Sequence, residues 1–231
     1  MTRTVASTLP EALAEIFAME VPLRERLAAY SSAMRRLNSP FVAEYDQLVR
    51  RLAAGEAGSQ APGPGDRMPP FLLTDPAGSM VSLEAVLAEG PAVISFNRGH
   101  WCPFCALELE ALAAAQRSLA ALGARIVSIM PEHQTYTAPL QARFGDRIVV
   151  LTDLDNAYAL SLGLAMWVGD GLRALMAGRG WSLDLFQGNA AWLLPLPATF
   201  VVGGDGLVRA RFVDPDFRNR MDLDAILAAL A

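Results

Sequence analysis

Residues 97–105 read NRGHWCPFC and contain both cysteines of the 231-residue chain, Cys102 and Cys105. Two cysteines three residues apart on a helical turn place their sulfurs near one face, where they can close a small disulfide ring. These residue types at this spacing allow three kinds of chemistry: a metal clip, a structural disulfide or a reversible redox pair. Each kind requires something different from the rest of the sequence.

The metal alternatives lack the further ligands that they require. A c-type haem site needs a histidine directly after the second cysteine, where this chain has Ala106. An iron–sulfur cluster usually needs four thiolates, and this chain has two. Zinc could recruit His100 and His133, but the paired-histidine spacing of zinc sites is missing. The sequence therefore favours a redox pair and predicts neither a metal nor an organic cofactor.

The elements around the motif place Cys102 between a strand and a helix. PAVISFN (91–97) is an apolar run typical of a central strand, and a long helix is predicted over 103–122. A helix N-terminus stabilises a thiolate and can lower a cysteine pKa from about 8.5 to roughly 3.5–7.5. Pro103 suits the first helical turn. We therefore expect Cys102 to be an exposed nucleophile and Cys105 the less accessible thiol that resolves its adducts.

The rest of the chain divides by pattern into three parts. Residues 1–54 contain three amphipathic segments, which predict an N-terminal helical extension. A Gly/Pro/Ser-rich stretch, 55–66, indicates a linker. Residues 67–231 alternate strands and helices and end in a hairpin and a helix, which predicts a mixed α/β sheet flanked by helices. Within that part, 164–196 reads as an insertion that packs over the core or a pocket.

Composition limits the classes of partner. The net charge of −5 gives no basic footprint for nucleic acid. All 19 basic residues are arginine, so Schiff-base and Walker-type lysine chemistry are excluded.

The N-terminal segment lacks the apolar stretch of a secretory signal, and the longest apolar run, near 158–168, is too short to cross a membrane. We expect a soluble cytoplasmic protein. In that reducing compartment a cysteine pair fits catalysis better than a permanent disulfide.

Three segments carry a resemblance to a known family. WCPFC followed by a helix looks like the active site of the thioredoxin fold. GDRMPPFLLTDPAG (65–78) resembles the opening segment of the AhpC/TSA (alkyl hydroperoxide reductase/thiol-specific antioxidant) family of peroxiredoxins. FNRGHWCPFC (96–105) and PLPATFVV (195–202) resemble its peroxiredoxin-like branch. The resemblance covers about 64–231 and implies a thioredoxin-like, peroxiredoxin-type fold.

The resemblance implies a thiol-dependent antioxidant oxidoreductase. Cys102 would attack a peroxide or a protein disulfide, Cys105 would resolve the product, and an external thiol such as a thioredoxin-type protein would restore the dithiol. Two other functions stay open: a protein disulfide oxidoreductase, and a redox-sensing interaction protein with little turnover. A homodimer is compatible with each of them.

Four residues near the motif are candidates for supporting roles. In PLPATFVV, the resemblance implies that Pro197 is a cis-proline that helps dock a partner's chain, with Thr199 behind it on the strand. Trp101 is expected to pack under the motif loop. His100 could donate a hydrogen bond to the Cys102 thiolate or point into solvent.

The sequence departs from the usual peroxiredoxin pattern P-x-x-x-T-x-x-C. Counted back from Cys102, Ser95 stands at the proline position and Gly99 at the threonine position. The arginine of the later strand, which stabilises the thiolate and orients the peroxide, has no clear counterpart either. These departures weaken the prediction of peroxidase activity more than the prediction of dithiol chemistry.

Three arginines could replace the missing one if they fold inward. They are Arg98, Arg218 and Arg220, and for each we expect a solvated surface position instead. Glu108, which follows the motif on the predicted helix, is also expected on the surface.

Overall fold

The N-terminal part of the chain is helical. The structure, a computed structural model, describes residues 6–231. The first three helices are α1 (Leu9–Phe17), α2 (Leu23–Arg36) and α3 (Phe41–Ala54). Thr8 and Glu11 begin α1 with reciprocal capping hydrogen bonds. The three predicted helices are confirmed; residues 1–5 of the predicted extension lie outside the described part.

The remaining elements follow the predicted alternation of strands and helices. The strands are β1 (Leu72–Thr74), β2 (Met80–Ser82), β3 (Ala92–Phe96), β4 (Arg125–Met130), β5 (Val149–Thr152), β6 (Ala165–Trp167), β7 (Leu193–Pro195), β8 (Ala198–Val202) and β9 (Val208–Val213). The helices are α4 (Leu83–Leu87), α5 (Pro103–Ala121), α6 (Gln134–Phe144), α7 (Ala157–Ser161), α8 (Asp170–Gly178), α9 (Leu183–Gln187) and α10 (Leu223–Leu230).

Seven strands form one mixed sheet in the order β2-β1-β5-β4-β3-β8-β9. β3 pairs in parallel with β4 and antiparallel with β8, and all five of its residues are buried. An apolar run buried on both faces is what a central strand requires. The predicted mixed sheet flanked by helices is confirmed, and the end of β3 delivers the chain directly to the CPFC motif.

The segment 164–196 covers the motif. It contains the antiparallel pair β6–β7 and the helices α8 and α9. Its buried side chains share one apolar cluster with α2, α3 and both cysteines. Packing over the core or a pocket was predicted for this segment, and the shared cluster shows that it packs over the core. Since the N-terminal helices share the same cluster, the boundaries proposed at 54 and 66 stay a prediction.

None of the helices in residues 6–231 is both long enough and apolar enough to cross a membrane. Within the same residues, no three His, Cys, Asp or Glu side chains gather in a way that could hold a metal ion.

Candidate dithiol site

Cys102 caps the N-terminus of α5. The loop from Asn97 leads from β3 to Pro103, the first residue of the helix, as the sequence predicts. The Cys102 Sγ accepts a hydrogen bond from the backbone N–H of Cys105 at 3.3 Å. The sulfur therefore occupies the place of an N-cap oxygen and satisfies one of the unpaired N–H groups of the first turn.

Both cysteines are free thiols, and both are buried. Cys102 has no exposed surface and Cys105 is 1% exposed. The expectation that Cys102 is exposed was therefore wrong. The motif fixes only the strand-to-helix junction, whereas the cover comes from elements far away in the sequence. We call this cover, formed by Tyr30, Tyr45 and Phe217, the aromatic cover.

The aromatic cover is held by edge-to-face ring contacts. Tyr30 of α2 meets Phe104 with ring centroids 5.2 Å apart, and Tyr45 of α3 meets Phe217 at 5.0 Å. Phe104 lies between the two cysteines in the first turn of α5 and has no exposed surface. Such contacts add about 0.5–1.5 kcal/mol each beyond the area that they bury. The motif thus lies under aromatic rings from three separate parts of the chain.

Arg98 folds inward onto the first cysteine. Its Nη2 donates a hydrogen bond to the Cys102 Sγ at 3.0 Å, and the side chain has no exposed surface. Its guanidinium lies 4.1 Å from the ring centroid of Phe217, with the rings of Tyr45 and Trp101 farther away. The surface position expected for Arg98 was wrong, because a buried cation beside an anionic sulfur is compensated. Within residues 6–231, its Nε and Nη1 have no hydrogen-bond partner.

The two thiols have opposite electrostatic environments. Burial acts to raise the pKa of Cys102, but hydrogen bonds from Cys105 and the charges of Arg98 and Arg220 outweigh burial and lower it to about 5. The pKa of Cys105 is raised well above its ordinary value by burial and by its bond to the Cys102 sulfur. At neutral pH the pair therefore holds one thiolate, on Cys102, and one thiol, on Cys105.

A buried ion pair lies behind the second cysteine. The Arg220 Nε is 2.6 Å from the Glu108 Oε2, and both side chains are almost fully buried. The Oε1 of Glu108 accepts hydrogen bonds from the Ser95 and Thr199 hydroxyls, each at 3.1 Å. The Arg220 Nη2 lies 3.6 Å from the Cys105 Sγ. The surface positions expected for Glu108 and Arg220 were wrong; burial raises the pKa of Glu108 despite the nearby guanidinium.

Sheet register brings Thr199 to this ion pair. Ser95 on β3 is paired directly with Thr199 on β8, so both hydroxyls project from adjacent strands to one carboxylate oxygen. Pro197 precedes β8, but the cis bond inferred for it is not found: residues 6–231 contain no cis peptide bond. The trans form is the lower in energy for a prolyl bond. The Arg218 side chain is 13% exposed and pairs with Asp46 and Asp216 instead of a sulfur, so the solvated position expected for it was wrong.

His100 and Trp101 take different directions from the loop. The His100 Nδ1 lies 2.8 Å from an oxygen of the buried Glu132, and the ring stacks on Tyr136, so His100 has no bond to the Cys102 sulfur. Trp101 is 8% exposed and packs against Trp181, whose ring centroid is 5.4 Å away. Glu132 also accepts the His100 backbone N–H at 2.7 Å. The carboxylate therefore fixes the shape of the motif loop.

Gly99 is required by the approach of Glu132 to this loop. Its φ is +143°, and a Cβ at this position would lie 2.6 Å from the Glu132 Oε1 and 2.7 Å from the Trp101 Nε1. We expect Gly99→Ala to destabilise the fold by about 1–3 kcal/mol more than backbone strain alone, because the buried carboxylate loses its bonds. Gly145→Ala, at φ +55° with open space around it, measures the strain alone. Equal urea midpoints for the two variants would contradict a role for Glu132 in holding the loop.

Known proteins that resemble this chain have the same fold, and a family model identifies its family. The model of the AhpC/TSA family matches residues 64–211. Among proteins of curated function, none matches the chain.

Solved structures share the fold at low sequence identity. Peroxidoxin BcpB from Mycobacterium tuberculosis is 21% identical, with a TM-score of 0.56 over 73% of this chain and 96% of that one. A thiol peroxidase from Chromobacterium violaceum is 19% identical, with a TM-score of 0.53 over 72% and 84%. A cysteine-to-serine mutant of peroxiredoxin 6 from Arenicola marina is 14% identical, with a TM-score of 0.54 over 72% and 71%. With a family match over more than half of its length and a thioredoxin-like, peroxiredoxin-type fold, the chain belongs to the AhpC/TSA family.

Proposed function

We propose that this protein is a thiol peroxidase that cycles Cys102 and Cys105 between dithiol and disulfide. The observation that carries the proposal is the buried Cys102 sulfur, which accepts a hydrogen bond from the Arg98 guanidinium, two of whose nitrogens have no partner among the described residues. A thiolate is the reactive form of cysteine, and unpartnered N–H groups beside it are donors for the oxygens of a substrate.

In the first step, the Cys102 sulfur attacks the terminal oxygen of the peroxide. The S–O bond forms as the O–O bond breaks, and the sulfur is oxidised to a sulfenic acid. The second oxygen leaves as hydroxide or alkoxide and takes a proton from solvent. The Nε and Nη1 of Arg98 are available to this oxygen, where negative charge develops. Arg98 would thus supply the donors that the proline and threonine of the usual peroxiredoxin pattern help to arrange.

In the second step, Cys105 attacks the sulfur of the Cys102 sulfenic acid. The S–S bond forms, the S–O bond breaks, and the departing hydroxide combines with the thiol proton of Cys105 to give water. An external dithiol, such as a thioredoxin-type protein, then reduces the disulfide by two thiol exchanges. Both electrons for the peroxide therefore come from that reductant.

Burial favours peroxide over protein disulfides as the oxidant. Both sulfurs lie under the aromatic cover. A small peroxide requires far less displacement of these rings than an extended polypeptide does. The alternative, a thiol–disulfide oxidoreductase, is supported by the same thiolate and thiol pair in a CxxC motif, so reaction rates must separate the two functions.

One stopped-flow series tests this proposal. The reduced protein is mixed with hydrogen peroxide, an organic hydroperoxide or a small protein disulfide, and fluorescence is followed because Trp101 directly precedes Cys102. We expect a fast response to a peroxide and a slow one to the disulfide, with Cys102→Ser as the background. The reverse order of rates would support the oxidoreductase instead. A reversible disulfide without turnover by any thiol reductant would support the redox sensor.

Replacing the resolving thiol should separate the two steps. In Cys105→Ser we expect Cys102 still to be oxidised by peroxide, because its thiolate keeps Arg98 and the helix N-terminus. The sulfenic acid should then persist, since the chain has no third cysteine. Mass spectrometry after trapping with dimedone measures it. Unchanged turnover in this variant would mean that a thiol of the reductant resolves the intermediate.

A further inference from the structure

Each cysteine of the pair has its own guanidinium. The Arg98 side chain donates to the Cys102 Sγ at 3.0 Å, whereas the Arg220 Nη2 lies 3.6 Å from the Cys105 Sγ. The charges of both arginines help to lower the pKa of Cys102, and Arg98 also donates to its sulfur. Beyond that effect of its charge, Arg220 has no role in the two steps described above, although it is only 6% exposed and contacts a reacting sulfur.

Arg220 is held more rigidly than Arg98. Its Nε is bonded to Glu108 at 2.6 Å, and its Nη1 donates to the carbonyl oxygens of Phe217 and Asn219, the latter at 2.7 Å. These bonds leave Nη2 directed at Cys105. Arg98, in contrast, has two nitrogens without partners. A donor that is already fixed in place needs no reorganisation when charge develops on the atom that it faces.

The second step creates such a charge. Cys105 is a buried thiol, and its sulfur must lose a proton as it attacks Cys102. Negative charge therefore develops on the Cys105 sulfur in an apolar surrounding, where an unpaired charge is costly. Within hydrogen-bonding distance of that sulfur, the described structure offers one side-chain cation, the Nη2 of Arg220.

We propose that Arg220 is a catalytic residue of the resolution step, in which it stabilises the charge that develops on Cys105 as the disulfide closes. Glu108 is its positioning residue, since it holds the Nε and thereby aims the Nη2. The inference rests on the proposed function, in which Cys105 resolves an intermediate on Cys102. It applies equally to a mixed disulfide, where Cys105 attacks the same sulfur and a thiolate leaves in place of hydroxide.

Oxidation has two kinetic phases, and the steps can be told apart because only one of the two rates depends on the peroxide concentration. Formation of the sulfenic acid is second order and accelerates with peroxide concentration, whereas closure of the disulfide is first order and does not. In Arg220→Gln we expect closure to slow by about 10²-fold, the effect of removing one fixed donor. The rate of the first phase should stay proportional to the peroxide concentration. Dimedone should trap a larger fraction of sulfenic acid, and excess peroxide should convert more Cys102 to sulfinic acid.

Two further variants keep the test decisive. Arg218→Gln removes a neighbouring paired arginine that does not touch either sulfur, and it should close the disulfide at the wild-type rate. Because Arg220→Gln leaves Glu108 buried without its cation, Glu108→Gln/Arg220→Gln removes the pair together, which costs less stability. This double variant should also close slowly. If the folded double variant closed its disulfide at the wild-type rate, the proposal would be overturned.

A separate readout distinguishes this failure from that of the proposed function. If peroxide leaves Cys102 of the wild-type protein reduced, the peroxidase proposal fails. Cys102 is then converted into a mixed disulfide with thionitrobenzoate. Release of that chromophore reports the attack of Cys105 on the Cys102 sulfur. Slow release from the double variant supports the role of Arg220, and release at the wild-type rate contradicts it.

Discussion

Replacing Arg98 by glutamine is expected to slow the oxidation of Cys102 by peroxide about 10²–10³-fold at neutral pH. The substitution removes the donor to the Cys102 sulfur at 3.0 Å and the buried positive charge that balances the thiolate. It also removes the two unpartnered nitrogens available to the peroxide. The measurement is the second-order rate of the peroxide-dependent fluorescence phase, with the exposed Arg117→Gln as the control.

Arg98→Gln should also change how the oxidation rate of Cys102 depends on pH. The wild-type Cys102 pKa of about 5 means that its thiolate is fully formed at neutral pH. The rate should therefore be flat near neutrality and fall as the pH drops through that value. Without Arg98, burial and the loss of a cation raise the pKa, so the rate of the variant should still be rising with pH at neutrality.

Arg98→Lys divides the two contributions of this residue. It keeps the positive charge but offers fewer and differently directed donors. Its pH midpoint should therefore lie near that of the wild type, while its rate stays reduced. If Arg98→Gln titrated with the wild-type midpoint, the helix N-terminus, Cys105 and Arg220 would be sufficient to hold the thiolate, and our account of Arg98 would be wrong.

Replacing Glu108 alone by glutamine is expected to lower the free energy of unfolding by about 3–5 kcal/mol. Glutamine keeps the volume and can still bond Ser95 and Thr199, but it leaves Arg220 as a buried cation without an anion. Urea denaturation of the reduced protein measures the change. The loss arises from the uncompensated charge, so it should shrink when Arg220 is also replaced.

A second ion pair from the same helix provides the control. Glu110 lies two residues further along α5, and its carboxylate pairs with Arg143 at the surface. Glu110→Gln should change stability by no more than about 1 kcal/mol, since exposed pairs contribute little. Equal effects of the two substitutions would mean that the Glu108–Arg220 pair is hydrated in solution.

The local part of the site can be read from the sequence. The run PAVISFN predicts β3, the apolar pattern after Pro103 predicts α5, and together they place Cys102 at a helix N-terminus. These features depend on neighbouring residues, which is why the pattern is sufficient to predict them. The same holds for the terminal hairpin of β8 and β9. The mixed sheet follows instead from the order of the strand and helix patterns, although its pairings join distant strands such as β3 and β8.

The electrostatic part of the site depends on contacts between distant residues. Arg220 is 115 residues from Cys105, and no pattern indicates that they meet. A signal did exist for Glu108: it lies three residues after Cys105, between Leu107 and Leu109, in a helix that is apolar on most sides. Arg98 is adjacent to the motif, but its inward direction depends on the loop that Gly99 and Glu132 shape.

The aromatic cover also has a consequence for the order in which the chain is made. Tyr30 and Tyr45 are synthesised early, but Phe217, which completes the cover, comes near the end; the neighbouring bond from Arg218 to Asp46 spans 172 residues. At typical rates of synthesis, about 5–20 residues per second, that separation corresponds to roughly 10–35 s. During this interval the apolar face of α3 lacks its contact with Phe217, and both thiols, once made, lie under an incomplete cover. A nascent chain is therefore more open to aggregation and to adventitious thiol oxidation than the finished protein.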